Sequence, residues 1–468
     1  MSLISRNPAT EEVYAELEEL SENALEGKLE RAHRAFHSWR AVPFAERSRL
    51  MHALADVLRA KKDAYGTIIT EEMGKTIGAS VAEIEKCAWV CDFYADNAEQ
   101  FLSPEPATVD GAESYVRFDP LGVVLAVMPW NFPFWQVFRF AAPAAMAGNA
   151  GILKHASNVP RSAMAIEEAF KDAGFPEGVF QNLAISASRV ESVLRDPRIA
   201  AATLTGSESA GMAVASVAGA EIKKTVLELG GSDPFIVLAD ADVVLSCDAG
   251  ASARLQNAGQ SCIAAKRFVL VESVAEEFIE RYVKLYQSMT IGNPMDPATS
   301  VGPLATNNIL KDVERQVETS VAGGARVVTG GKRLPGKGYF YAPTIMVDVK
   351  KGMPAYDEEI FGPVAAMITV KDEEEAIRVA NDTRFGLGAS IWSRDTKRAE
   401  EIAKRIESGA VFINSIVKSD PRVPFGGIKK SGYGRELSHY GIREFTNIKT
   451  VWVSTAPAHT KAVQDTTE

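Results

Sequence analysis

Cys262 stands in the run Asn257-Ala258-Gly259-Gln260-Ser261-Cys262-Ile263, one of four cysteines in 468 residues. Its small neighbours Ala258, Gly259 and Ser261 allow a close backbone approach and leave a thiol open to a ligand. Upstream, Glu228-Leu229-Gly230-Gly231 ends an apolar run with a carboxylate, and Pro129-Trp130-Asn131-Phe132-Pro133 ends another with an amide. A thiol can attack a carbonyl, an amide N–H can hold the resulting oxyanion, and a carboxylate can activate water to hydrolyse a thioester. Each group also has a plainer reading. A lone cysteine is most often core packing, an asparagine between prolines caps a turn, and a glutamate in a period-two run can sit on an edge strand. A Cys–His hydrolase is a rival use of the thiol, but the nearest histidine in sequence is the distant His155.

Other polar groups also interrupt apolar runs. Thr205-Gly206-Ser207-Glu208-Ser209-Ala210-Gly211 follows one such run and opens a helix, which suits a phosphate. The third glycine of a dinucleotide fingerprint is missing, so an ordinary strand–helix turn fits equally well. Lys154-His155-Ala156-Ser157 ends a further run, where Lys154 can donate to a ribose hydroxyl or a 2′-phosphate or simply be solvated. Arg139 lies in Gln136-Val137-Phe138-Arg139-Phe140-Ala141-Ala142. A guanidinium among apolar neighbours wants an anion, either a substrate carboxylate held bidentate or an internal ion pair.

Strands and helices must place these groups. Helical spacing recurs over residues 22–100, as at Leu25, Leu29, Ala32, Phe36 and Trp39. Short apolar runs then alternate with helical ones, near 149–154, 180–184, 200–205 and 223–229, and again near 235–238, 267–271, 363–370, 388–392 and 410–413. Such alternation predicts an α/β fold with parallel sheets covered on both faces. Gly- and Pro-rich stretches at 292–303 and 330–343 read as long loops.

The balance of charge narrows the function. A formal net charge of −10, with 46% hydrophobic and 24% charged residues, is ordinary for a globular chain and argues against binding nucleic acid. Cys87, Cys91, Cys247 and Cys262 lack disulfide or metal-site spacing, and the six histidines are scattered, so no metal is expected. Met1–Arg6 lacks the apolar stretch of a signal peptide and no segment reaches transmembrane length. A cytoplasmic protein without membrane partners is expected.

Taken in order, Pro129–Pro133, Lys154–Ser157, Thr205–Gly211, Glu228–Gly231, Gly259–Cys262, Glu359-Ile360-Phe361-Gly362-Pro363 and Pro424-Phe425-Gly426-Gly427 resemble the hallmark segments of the NAD(P)-dependent aldehyde dehydrogenase superfamily, over residues 1 to about 455. The resemblance implies that Cys262 is the nucleophile, Glu228 the general base and Asn131 an oxyanion donor beside the Cys262 backbone N–H. It places the cofactor against Trp130, Lys154, Ser157, Gly206, Ser207, Leu229, Glu359 and Phe361. It also implies a Rossmann-like cofactor domain over 1–104 and 120–229 and a second α/β catalytic domain over 230–423. A small β oligomerisation arm over 105–119 and 445–455 would make the protein a homodimer or homotetramer, and 456–468 is expected to be a disordered tail.

Within the superfamily the chain is most similar to the succinate-semialdehyde dehydrogenases, through Lys418-Ser419-Asp420-Pro421-Arg422 and an arginine at 139. The second arginine of the eukaryotic form, six residues before the nucleophile, is Gln256 here, which leaves Ser261 and Ser419 as supplementary donors beside Arg139 and Phe425. Ala264 replaces a second cysteine, so no disulfide switch is expected. Where NAD-preferring relatives often carry glutamate, this chain has Ser157, so NADP is expected to be accepted with NAD also usable. Two rivals stay open: an aldehyde dehydrogenase for other semialdehydes or neutral aliphatic aldehydes, and a catalytically silent dinucleotide-binding protein.

Overall fold

The alternating apolar runs form two largely parallel sheets in a computed structural model that describes residues 2–110 and 112–454. The α/β class read from the sequence is the one observed. The tail expected at 456–468 lies outside the described residues.

One sheet has six strands, in the order Gly432–Tyr433, Lys224–Glu228, Ile199–Thr205, Val123–Met128, Ala150–His155 and Phe180–Asn182. Only the first of these pairs antiparallel. Register aligns the carboxyl ends: Thr205 lies opposite Glu228, Leu204 opposite Val127, and Val127 opposite Lys154. One edge of the sheet therefore presents Glu228, the Gly206–Ser207 turn, the Pro129–Pro133 segment and Lys154–Ser157 side by side, where ligands of open α/β sheets collect.

The second sheet has seven strands: Arg326–Thr329, Thr344–Val347, Val364–Val370, Ala265–Val271, Asp233–Val237, Gly388–Trp392 and Ala410–Ile413. The first two flank the stretch 330–343, and sequence periodicity missed both. Arg326–Thr329 is an antiparallel edge strand with little burial, so it carries no alternation to detect. A hairpin of Ser2–Arg6 and Val13–Glu18 was likewise unread. Glu105–Ala107, Ala112–Pro120 and Thr446–Ser454 form a separate three-stranded antiparallel sheet.

Four helices cover residues 22–39, 44–60, 62–73 and 77–101. The last three bury an apolar face with the helix Trp135–Ala147, every residue of which is buried. Arg139 is thus carried into the core by its own helix. Among the described residues no helix is long and apolar enough to cross a membrane.

Candidate active site

Left-handed backbone sets up the nucleophile loop. The helix Val243–Leu255 ends at Gln256, and Asn257 and Ala258 follow with φ of 54° and 53°, then Gly259 with 79°. For a non-glycine residue this conformation costs roughly 1–3 kcal/mol and persists only when its surroundings hold it. At Gly259 a side chain is also excluded, because a β-carbon would strike the Gly362 carbonyl.

Two buried cations hold the loop. Arg254 donates to the carbonyls of Gly259 (3.3 Å), Ile360 (2.9 Å) and Gly362. Lys266 donates to the carbonyls of Ser261 (2.8 Å) and Cys262 (2.7 Å) and pairs with Glu359 at 3.3 Å. Sequence reasoning missed both. The signal was present, since each interrupts an apolar run as Arg139 does.

Cys262 is the one cysteine that is not buried, and its residue lines two cavities, of about 220 and 260 Å³. Burial of its sulfur pushes the thiol up to about 12, with Arg139 and Lys266 pulling the other way. The resting thiol is therefore protonated, and attack requires further stabilisation of the thiolate.

The larger cavity gathers Trp130, Asn131, Gly206, Ser207, Leu229, Glu359 and Phe361 around Cys262. Trp130 and Phe361 meet edge-to-face at 5.7 Å. Ser207 caps the helix Glu208–Ala220 by accepting from the Ala210 N–H, which turns the positive end of that helix toward the cavity. Glu359 accepts from the Gly231 N–H at 3.1 Å. Apolar walls, a helix N-terminus and one anchored carboxylate fit the nicotinamide end of a dinucleotide. Lys154 and Ser157 lie at the same sheet edge but line neither cavity. Lys154 is buried, and desolvation lowers its pKa, whereas Ser157 is exposed.

Asn131 gives one side-chain amide N–H to the Gln260 carbonyl at 3.1 Å, and its backbone carbonyl accepts from the Asn257 side chain at 2.8 Å. The amide is thereby tied to the nucleophile loop, with a second N–H to offer beside Cys262. His155 does not serve the thiol. One ring nitrogen bonds the Pro133 carbonyl at 2.8 Å, the other accepts from Ala156, and burial lowers its pKa to about 4. That removes the nearest partner for a Cys–His reading.

Glu228, expected as the general base, has its side chain apart from the thiol and the amide. Its carboxyl lines neither cavity and faces Gly426 and Glu436 instead. Burial, then Glu436, holds its pKa well above the carboxylate range, while Arg139 and Arg435 oppose this. Its neighbours Leu229, Gly230 and Thr205 do line the larger cavity, so the backbone is in place and the side chain is turned away.

Arg139 differs from its expectation as well. It lines the smaller cavity, yet its guanidinium forms a buried ion pair with Glu436 and lies 4.5 Å over the Phe425 ring. The chain itself thus supplies an anion, through Nε, to a guanidinium that was expected to take its anion from a substrate carboxylate. Ser261 and Phe425 line the same cavity, and the Ser261 hydroxyl is buried without a partner among the described residues. Ser419 also lines it and accepts from Lys86 and Trp135. Sequence reasoning missed Lys86, since a lysine on a helix is ordinarily solvated.

Residues 2–451 match the aldehyde dehydrogenase family. A probable succinate-semialdehyde dehydrogenase [NADP(+)] of Synechocystis sp. is 52% identical, spanning 97% of this chain and 100% of its own length. Succinate-semialdehyde dehydrogenase [NADP(+)] 1 of Mycobacterium tuberculosis is 50% identical, with the same coverage. The structure of a succinic semialdehyde dehydrogenase from Streptococcus pyogenes in complex with NADP+ superposes with a TM-score of 0.95 at 41% identity, covering 97% of this chain and 100% of that one. A thiol held at the junction of two cavities, in segments that match along nearly the whole length, leaves one assignment: the chain belongs to the aldehyde dehydrogenase family.

Proposed function

We propose that the protein oxidises succinate semialdehyde to succinate with NADP, NAD also being usable. The observation that carries this reading is the position of Cys262 between a cavity fit for a nicotinamide and a cavity lined by basic residues. The names of the relatives at 50–52% identity support it.

The Cys262 thiolate adds to the aldehyde carbon, and the second Asn131 N–H with the Cys262 backbone N–H holds the oxyanion. When bound, the nicotinamide supplies the hydride acceptor. The acyl group is then left on Cys262 as a thioester. Glu228 turns from its buried position, takes a proton from water, and the resulting hydroxide releases the acid and restores the thiolate. Glu359, held by Lys266 and the Gly231 N–H, would grip the nicotinamide ribose, and Lys154 would grip the adenosine ribose. Serine at 157 offers no negative charge against a 2′-phosphate.

We read Glu105–Ala107, Ala112–Pro120 and Thr446–Ser454 as an oligomerisation arm of a homodimer or homotetramer. In support, Ile448, Trp452 and Val453 are exposed on the long edge strand Thr446–Ser454, a liability for a monomer.

A second reading is oxidation of neutral aliphatic aldehydes, and the Arg139–Glu436 pair favours it by giving the guanidinium an internal anion. Steady-state kinetics with succinate semialdehyde and butanal, each with NADP and NAD, separates the two. The account expects a higher kcat/KM for the semialdehyde and for NADP. Equal values for the two aldehydes overturn the substrate assignment, and NAD favoured by more than about a hundredfold, roughly 2.7 kcal/mol, overturns the cofactor assignment.

A further inference from the structure

A third cavity, of about 510 Å³, shares no lining residue with the two that meet at Cys262. It lies between the strand Ala112–Pro120, the start of the helix Phe44–Ala60 and the end of the helix Trp135–Ala147. Arg40, Arg47 and Arg117 line it against a single carboxylate, Asp119. Three guanidiniums around one cavity stand out in a chain whose formal net charge is −10. Asp119 does not restore the balance, because Arg117 holds one of its oxygens at 2.7 Å and Lys449 binds the other.

Arg47 supplies a second observation. It is only 5% exposed, and its Nε is buried without a hydrogen-bond partner among the described residues. Burial lowers its pKa to about 10, and no neighbouring carboxylate opposes that shift, so the group is charged at neutral pH with no counter-ion from the chain. A buried charge left in that state is costly unless an anion reaches it. The guanidinium is nevertheless firmly seated. It lies 4.3 Å over the Phe44 ring, and its Nη1 packs on Gly148 so closely that a β-carbon there would strike it. The Arg40 guanidinium stands 5.3 Å over Phe36, also without a carboxylate. The helix Phe44–Ala60 begins at the same place behind Pro43, with no side chain capping it, so its positive end adds to the three arginines.

We propose that this cavity binds a phosphate monoester, with the dianionic group held by Arg47 and Arg40, Arg117 at the exposed rim, and the organic part against Phe44 and Tyr115. Guanidinium forks match phosphate oxygens, and their summed charge favours a dianion over a monocarboxylate. The ligand would join the three elements that line the cavity and neutralise Arg47, so it stabilises the folded chain. The site is separate from the cofactor's own phosphate contacts and does not depend on which aldehyde is oxidised.

Calorimetric titration of the NADP-loaded enzyme with phenyl phosphate, inorganic phosphate and benzoate tests the proposal, with NADP keeping the cofactor site filled. The expected result is one site per chain, with phenyl phosphate binding tightest and benzoate at least about tenfold weaker. Arg47→Met should weaken phenyl phosphate at least about tenfold. Arg40→Met, at an exposed position, should weaken it less and leave kcat/KM for the aldehyde unchanged, which keeps the test open if the buried variant folds poorly. Binding that is unchanged in both variants, or that disappears when NADP is loaded, overturns the site. Benzoate binding as tightly as phenyl phosphate overturns the phosphate class. No saturable binding up to about 10 mM also overturns the proposal, and if both variants then sediment as smaller species, the arginines serve a second copy of the chain instead.

Discussion

The two cavities that meet at Cys262 are built from different materials. The larger is made of strand ends, a helix N-terminus and the backbone of Leu229-Gly230, with Glu359 pinned by main-chain and lysine contacts. The smaller is made largely of long side chains, among them Lys86, Trp135 and Arg139 on packed helices and Lys75 on the turn between two of them. Main-chain walls accept a ligand whose shape is fixed. Walls of charged side chains discriminate by which charges remain uncommitted. Arg139 and Lys86 show the difference within one cavity, since one has its own carboxylate and the other has none.

The contrast is tested most severely at Glu228, which belongs to neither cavity at rest. Glu228→Gln should lower steady-state turnover by about 10²–10⁴-fold while sparing a single-turnover burst of reduced cofactor in stopped flow. The raised carboxyl pKa gives the sign of the pH effect: the base form grows as pH rises, so hydrolysis-limited turnover of the wild type should climb with pH. Loss of the burst would place Glu228 in the first half-reaction and against this geometry.

At the Arg139–Glu436 pair a large effect on stability is expected. Arg139→Met leaves a buried carboxylate without its partner and should cost about 3–5 kcal/mol by urea unfolding, most of it recovered when Glu436→Leu is added. A cost below about 1 kcal/mol would mean that the guanidinium is free for a ligand after all.

Lys266 gives the smallest effect and sharpens the comparison from the other side. It ties the Cys262 carbonyl to Glu359, so Lys266→Met should raise KM for NADP and slow hydride transfer, each by about tenfold, without altering the preference between aldehydes. A changed aldehyde preference would show that the two cavities are not separable.

The same contrast governs how much was legible in the sequence. The parallel sheets, the Gly206–Ser207 turn and the Cys262 loop were readable because close backbone approach demands small residues at fixed places, and Gly259 against Gly362 is such a place. The destination of Arg139 was not readable, because its partner Glu436 lies far along the chain and only the fold brings them together. Lys86 was overlooked because a lysine on a helix is ordinarily solvated, and only Trp135 and Ser419 from two other elements make it a cavity wall. The strands at 326–329 and 344–347 escaped for a third reason: the first is an exposed edge, and the second is separated from it by a Gly- and Pro-rich crossing.

The central claim is that the acyl group passes through the sulfur of Cys262. Mixing Glu228→Gln enzyme with succinate semialdehyde and NADP, quenching in acid and mapping peptides by mass spectrometry tests it directly. The account predicts a succinyl group on the peptide containing Cys262, formed together with the burst of reduced cofactor. A burst with no adduct there, or an adduct on Cys87, Cys91 or Cys247 instead, would contradict it.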